Sequence, residues 1–141
     1  MNVMWNYEIE EHTADIRLGV QADTLEELFA GALKCLSELI LAQQPAKSDI
    51  GDVREEIYVK SEDRTALMID FLSEALTLSH CNMVVYRELE ILEISPTELS
   101  AIISGRPTES FDRDVKAVTY HGAEVAGKEG DGFAVEIVLD I

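Results

Sequence analysis

Residues 10–20 read EEHTADIRLGV and residues 24–29 read TLEELF, and between the two stretches the hydrophobic period changes. Ile16, Leu18 and Val20 alternate with Arg17 and Gly19, which predicts a strand with one apolar face. Thr24 with Glu27 is a capping box. From it Leu25, Leu28, Phe29, Ala32, Leu33, Leu36, Leu39 and Ile40 recur at helical spacing, which predicts a helix to about Ala42. A half-buried strand feeding an amphipathic helix requires a core shared between sheet and helix layers.

The same logic extends along the chain in both directions. Tyr7-Glu8-Ile9-Glu10 reads as a short strand before the first stretch, and Gln43 to Asp52, with Pro45 and Gly51, reads as a loop after the helix. Val53, Ile57 and Val59 predict another strand. Ser61 or Asp63 then caps a second helix with a stripe of Leu67, Phe71, Ala75 and Leu78, ending near His80-Cys81-Asn82. Met83 to Ile94 is rich in β-formers, Ser95-Pro96-Thr97 is a turn, and Leu99, Ala101 and Ile103 alternate, so a hairpin is expected, closed by Gly105-Arg106-Pro107. Val115 to His121 leads to Glu124-Val125, and Gly127, Gly130 and Gly132 form a loose turn. The last strand sets Phe133, Val135, Ile137 and Leu139 on one face and Ala134, Glu136, Val138 and Asp140 on the other. The expected fold is α+β, a two-layer sandwich of a mainly antiparallel sheet with two main helices, forming one domain over residues 1–141.

Composition narrows the function classes. With 47% apolar residues and a mean hydropathy of +0.02 the chain can build a core, yet no segment reaches the roughly 18 apolar residues of a membrane span. The start, MNVMWNYEIEEH, lacks the basic and apolar regions of a secretory signal, so a soluble cytoplasmic protein is expected. Cys35 and Cys81, each within an apolar pattern, read as buried free thiols. Twenty-eight acidic residues against 11 basic ones give a net charge of −17. That field repels phosphate backbones, so no direct nucleic-acid binding is expected.

No phosphate-cradling glycine loop, nucleophile elbow or Cys-x-x-Cys pair occurs, and no catalytic residue is assigned. His12 and His121 each read as a general base or as a surface or packing residue. A Ser104, His121 and Asp15 set is of a kind that chance supplies in a chain with this many Ser and Asp residues. Asp15 and the Asp140-Ile141 terminus are more specific. Leu139 and Ile141 continue the last strand's apolar face, which predicts an end held in place. If that strand lies near Asp15, three anionic groups converge, and hard cations such as Ca²⁺ take oxygen ligands of this kind. The alternative is that Asp15 caps a turn and Asp140 faces solvent. Lys116 is either a solvated side chain or a contact for a partner's acid or phosphate. Spacing alone leaves these pairs of readings open.

Together, EEHTADIRLGV, the TLEELF helix start, KAVTYHG in the last third and a terminal VLDI resemble the archease family from Tyr7 to Ile141. The resemblance implies a small α+β protein that is not itself an enzyme. It implies instead an activator of an RtcB-type RNA ligase in tRNA splicing, promoting guanylylation and multiple turnover of the ligase, with a divalent metal site, calcium being the expected ion. By motif match, Asp15, Asp140 and the α-carboxylate of Ile141 are the implied metal ligands. His12, Lys116 and His121 are the implied partner contacts or residues just behind the ligands. Arg106 and Arg113-Asp114 depart from the family pattern. The rival classes are a general protein-binding chaperone and a metal-dependent hydrolase, which partner-free assays separate.

Overall fold

A computed structural model describes residues 3–9, 15–41 and 52–141. Its elements run β1 (Val3–Ile9), β2 (Asp15–Ala22), α1 (Leu25–Ile40), β3 (Val53–Lys60), α2 (Arg64–Asn82), β4 (Val84–Ile94), β5 (Glu98–Pro107), β6 (Ala117–Lys128) and β7 (Gly132–Asp140). The α+β reading is borne out, and every strand pair is antiparallel. The strands divide between two sheets, β1-β2-β7-β6 and β3-β5-β4. The division follows from chain order, because the β6–β7 hairpin returns to pair with β2 and everything between forms its own sheet around β5.

Each helix serves both sheets. α1 packs on β1, β2 and β7 and also on β4, while α2 packs on β6 and on all three strands of the smaller sheet. This explains why α2 buries Met68, Ile69, Leu72 and Leu76 besides the expected Leu67, Phe71 and Ala75. A helix wedged between layers needs apolar residues on more than one side. Phe29 of α1 and Phe71 of α2, both fully buried, meet with ring centroids 5.6 Å apart.

The helix starts are local chemistry. Thr24 Oγ1 accepts from the Glu27 N–H at 3.1 Å, so Thr24 caps α1 as read, but its hydroxyl rather than its backbone N–H donates to Glu27 Oε1, at 3.0 Å. Of the two residues able to cap α2, Asp63 does so, its Oδ1 accepting from the Ala66 N–H at 2.8 Å. Ser61 instead donates to Asp70 Oδ2 at 2.6 Å. α2 ends on a left-handed Met83, whose N–H donates to the Ser79 carbonyl.

Two expectations need correction. Gly105-Arg106-Pro107 does not close the hairpin. β5 continues through it, with Gly105 paired to both Val53 and Tyr86 and Pro107 to Val84. The cysteines also differ, since Cys35 is buried on α1 while Cys81 is exposed in the last turn of α2, where the helix leaves the core. Burial, with Glu38 adding to it, pushes the Cys35 thiol up to about 12. A thiol reagent at neutral pH is therefore expected to modify Cys81 in the folded protein and Cys35 only after denaturation. Rapid labelling of both in the native state would contradict this burial pattern. The expected strand residue Glu10 lies outside the described residues, as does nearly all of the Gln43 to Asp52 loop.

Candidate functional site

β2 and β7 lie side by side with Ile16 opposite Leu139, Leu18 opposite Ile137 and Val20 opposite Val135. These six side chains are buried. Alternation then turns Asp15, Arg17 and Gly19, with Glu136, Val138 and Asp140, to the other face of the sheet. Asp15, the first residue of β2, stands directly opposite Asp140, the last residue of β7. Directly opposed residues on one face have Cβ atoms about 4.5–5.5 Å apart, and like charges so placed repel. Arg17 relieves a similar burden further along the strand by pairing with Glu136 at 3.0 Å. Val138, 4% exposed and on the same face, sits between Glu136 and Asp140.

A third strand joins the same sheet end. Ala117, the first residue of β6, pairs with Asp140, and the Lys116 N–H donates to the Asp140 carbonyl at 2.7 Å. Lys116 is exposed, and Ile141, the residue after Asp140, packs against the core while half-buried. Buried Val115 anchors the residue before Lys116. Asp15, Asp140, Ile141 and Lys116 thus come together where three strands begin or end.

The other candidates fall elsewhere. His121 is exposed in a bulge of β6, where the pairing passes from Thr119↔Val138 to Glu124↔Glu136 and leaves residues 120–123 without partners on β7. Its N–H donates to Thr119 Oγ1 at 3.0 Å. Ser104 lies in the smaller sheet, between Arg54 and Glu88, so the Ser104, His121 and Asp15 set is not assembled. His12 lies outside the described residues. His80, in the last turn of α2, stacks edge-on against Phe111 at 5.2 Å.

The Tyr120 and Asp70 pair, whose partners stand 50 positions apart, is the contact that sequence reading missed: the Tyr120 hydroxyl donates to Asp70 Oδ1. No periodicity signals a bond between a helix face and a distant bulge.

For a divalent cation, the test is the donor set. Among the described residues no three His, Cys, Asp or Glu side chains cluster at metal-binding spacing. The opposed acids supply carboxylate oxygens, the kind hard cations take, and their direct opposition leaves a repulsion that a cation would relieve. The residues fit such an ion provided that further oxygens join the two side chains.

Fold and site together define a small α+β domain of antiparallel sheets, with an opposed acid pair at a strand end. Its residues 7–141 match the Archease protein family (MTH1598/TM1083). The chain belongs to the archease family. It is 32% identical to the protein archease of Methanosarcina barkeri, covering 96% of this chain and 95% of that one. It is 30% identical to the protein archease of Pyrococcus abyssi, covering 98% and 100%. The solution structure of Methanobacterium thermoautotrophicum protein 1598 superposes with a TM-score of 0.70 at 25% identity, over 97% of this chain and 98% of that one. No helix among the described residues is long and apolar enough to cross a membrane.

Proposed function

We propose that this chain is a cytoplasmic activator of an RtcB-type RNA ligase in tRNA splicing, promoting guanylylation and multiple turnover of the ligase without catalysing either. Family membership supports the reading, and the observation that carries it is the strand-end constellation, in which opposed Asp15 and Asp140 lie beside exposed Lys116. Asp15, Asp140 and the α-carboxylate of Ile141 would hold a divalent ion, calcium for preference, which supplies fixed positive charge on an acidic surface. The net charge of −17 favours action through protein contact over a grip on RNA. His12 and His121 are further contacts for the ligase in this reading.

The test is labelled guanylate incorporated into the ligase against time, with this protein substoichiometric and metal saturating. A faster approach to full guanylylation is expected, with no incorporation when the ligase is omitted. Equal rates with the ligase of the same organism would remove the activator reading and bring the chaperone class forward. Lys116→Ala is expected to impair the acceleration severalfold while leaving the melting temperature unchanged, because an exposed lysine contributes little to a core.

A further inference from the structure

Among the described residues β6 is an outer strand of its sheet, so one row of its backbone groups has no strand partner there. Side chains of α2 take that place. Thr65 Oγ1 accepts from the Val125 N–H at 2.9 Å and Arg64 Nη2 donates to the Gly127 carbonyl at 2.8 Å, while Asp70 accepts from the side-chain hydroxyl of Tyr120. The first two bonds fix the second half of β6, beyond the bulge. The first half, Ala117–Thr119, pairs with β7 for only three residues before the bulge interrupts the ladder. Gly122, at φ 74 with nothing within 4 Å of a Cβ built on it, gives the bulge freedom.

We propose that the Tyr120 and Asp70 contact is a latch that positions Lys116 and His121 by tying the β6 bulge to α2. Tyr120 stands one residue before His121 and four after Lys116, and it joins the bulge to a helix already braced within the core. Asp70 is itself oriented, because its second oxygen accepts from Ser61. Ser61 in turn is tied to the smaller sheet, its N–H donating to the Thr97 carbonyl at 2.8 Å. The latch therefore references the first half of β6 to the opposite sheet. A tyrosine hydroxyl carries its proton at physiological pH and so can donate to Asp70, and that hydrogen bond raises the Tyr120 phenol above its ordinary range. Tyr120 and Asp70 are positioning residues. In its effect on activity the inference rests on the activator reading; in its effect on the strand it does not.

Tyr120→Phe removes one oxygen from a side chain that is 58% exposed, so it leaves no cavity. Native-state hydrogen exchange is expected to show the Lys116 and His121 amides exchanging about tenfold faster, by loss of one charge-assisted hydrogen bond. The Val125 and Val135 amides should be unchanged. Asp70→Ala should reproduce this pattern, whereas Asp70→Asn, which keeps an acceptor for the phenol, should restore near wild-type exchange. In the guanylate assay Tyr120→Phe should slow activation in the wild-type background and have a smaller effect in a Lys116→Ala background, the non-additivity of a residue that acts in part through Lys116. Unchanged exchange at Lys116 and His121, or an equal rise at Val135, would overturn the latch. If the wild-type protein does not accelerate guanylylation, the functional reading fails and the exchange pattern still decides the latch.

Discussion

Gly105→Ala is expected to destabilise the protein by roughly 3 kcal/mol or more, the upper range for forcing atoms into a packed site. In a domain of this size that lowers the melting temperature by about 10 °C. A Cβ at this position would lie 1.9 Å from the Val85 carbonyl oxygen and 2.7 Å from the Tyr86 Cα. Both are backbone atoms, so no side-chain rotation relieves the clash. Gly105 stands between two strands, opposite Val53 on one side and Tyr86 on the other, at the point where β4 bulges between Tyr86 and Glu88. Tyr86 is fully buried and its hydroxyl accepts from Asn82 Nδ2 at 2.9 Å, so β4 cannot easily give way. Gly122→Ala is the control. Its φ of 74 costs about 1–2 kcal/mol for an L-residue, but a Cβ there meets nothing. Urea denaturation should rank Gly105→Ala well below Gly122→Ala. Equal midpoints would mean that β4 and β5 are not so closely apposed.

The Gly105 case shows where reading a sequence stops. Gly-Arg-Pro has the composition of a turn, and only the approach of a second backbone, which no local pattern encodes, keeps Gly105 inside a strand. What local rules govern was legible: the Thr24 cap, the stripe of α1 and the two faces of β7 follow from hydrogen-bond geometry and period. The division into two sheets was not, because it depends on which strands the β6–β7 hairpin rejoins, a choice made by packing across the whole chain. The candidate site was half legible. That Asp15 opens one strand and Asp140 ends another could be read. That register places one opposite the other, with the Lys116 backbone bonded to Asp140, is a tertiary fact. Cys81 illustrates the same limit from the other side, since its apolar neighbours on α2 pack inward while its own position in the last turn faces solvent.

On the proposed reading Ca²⁺ is expected to stabilise the wild-type protein, and Asp15→Asn and Asp140→Asn are each expected to abolish that gain. A ligand that binds only the folded state at about a hundred times its dissociation constant adds about 2.7 kcal/mol, so the wild-type melting temperature should rise by several degrees and fall back when the ion is chelated. Without the ion the sign reverses. The two acids oppose one another on one face of the sheet, and neutralising either removes a like-charge contact, so Asp15→Asn in chelator should be as stable as wild type or slightly more so. A purely structural acid, capping a turn, would instead lose stability in both conditions. The same substitution should impair ligase activation, whereas Lys116→Ala should impair activation and keep the full response to Ca²⁺, which separates holding the ion from meeting the partner. Adding residues after Ile141 tests the third proposed ligand, because it converts an α-carboxylate into a neutral amide while leaving Asp15 and Asp140 in place. The response should then fall toward that of the two side chains alone, since a hard cation seeks about six to eight oxygens and two carboxylates supply at most part of them. An undiminished rise in the extended protein would show that the strand end holds its ion through side chains, with Ile141 serving only to pin β7 against the core.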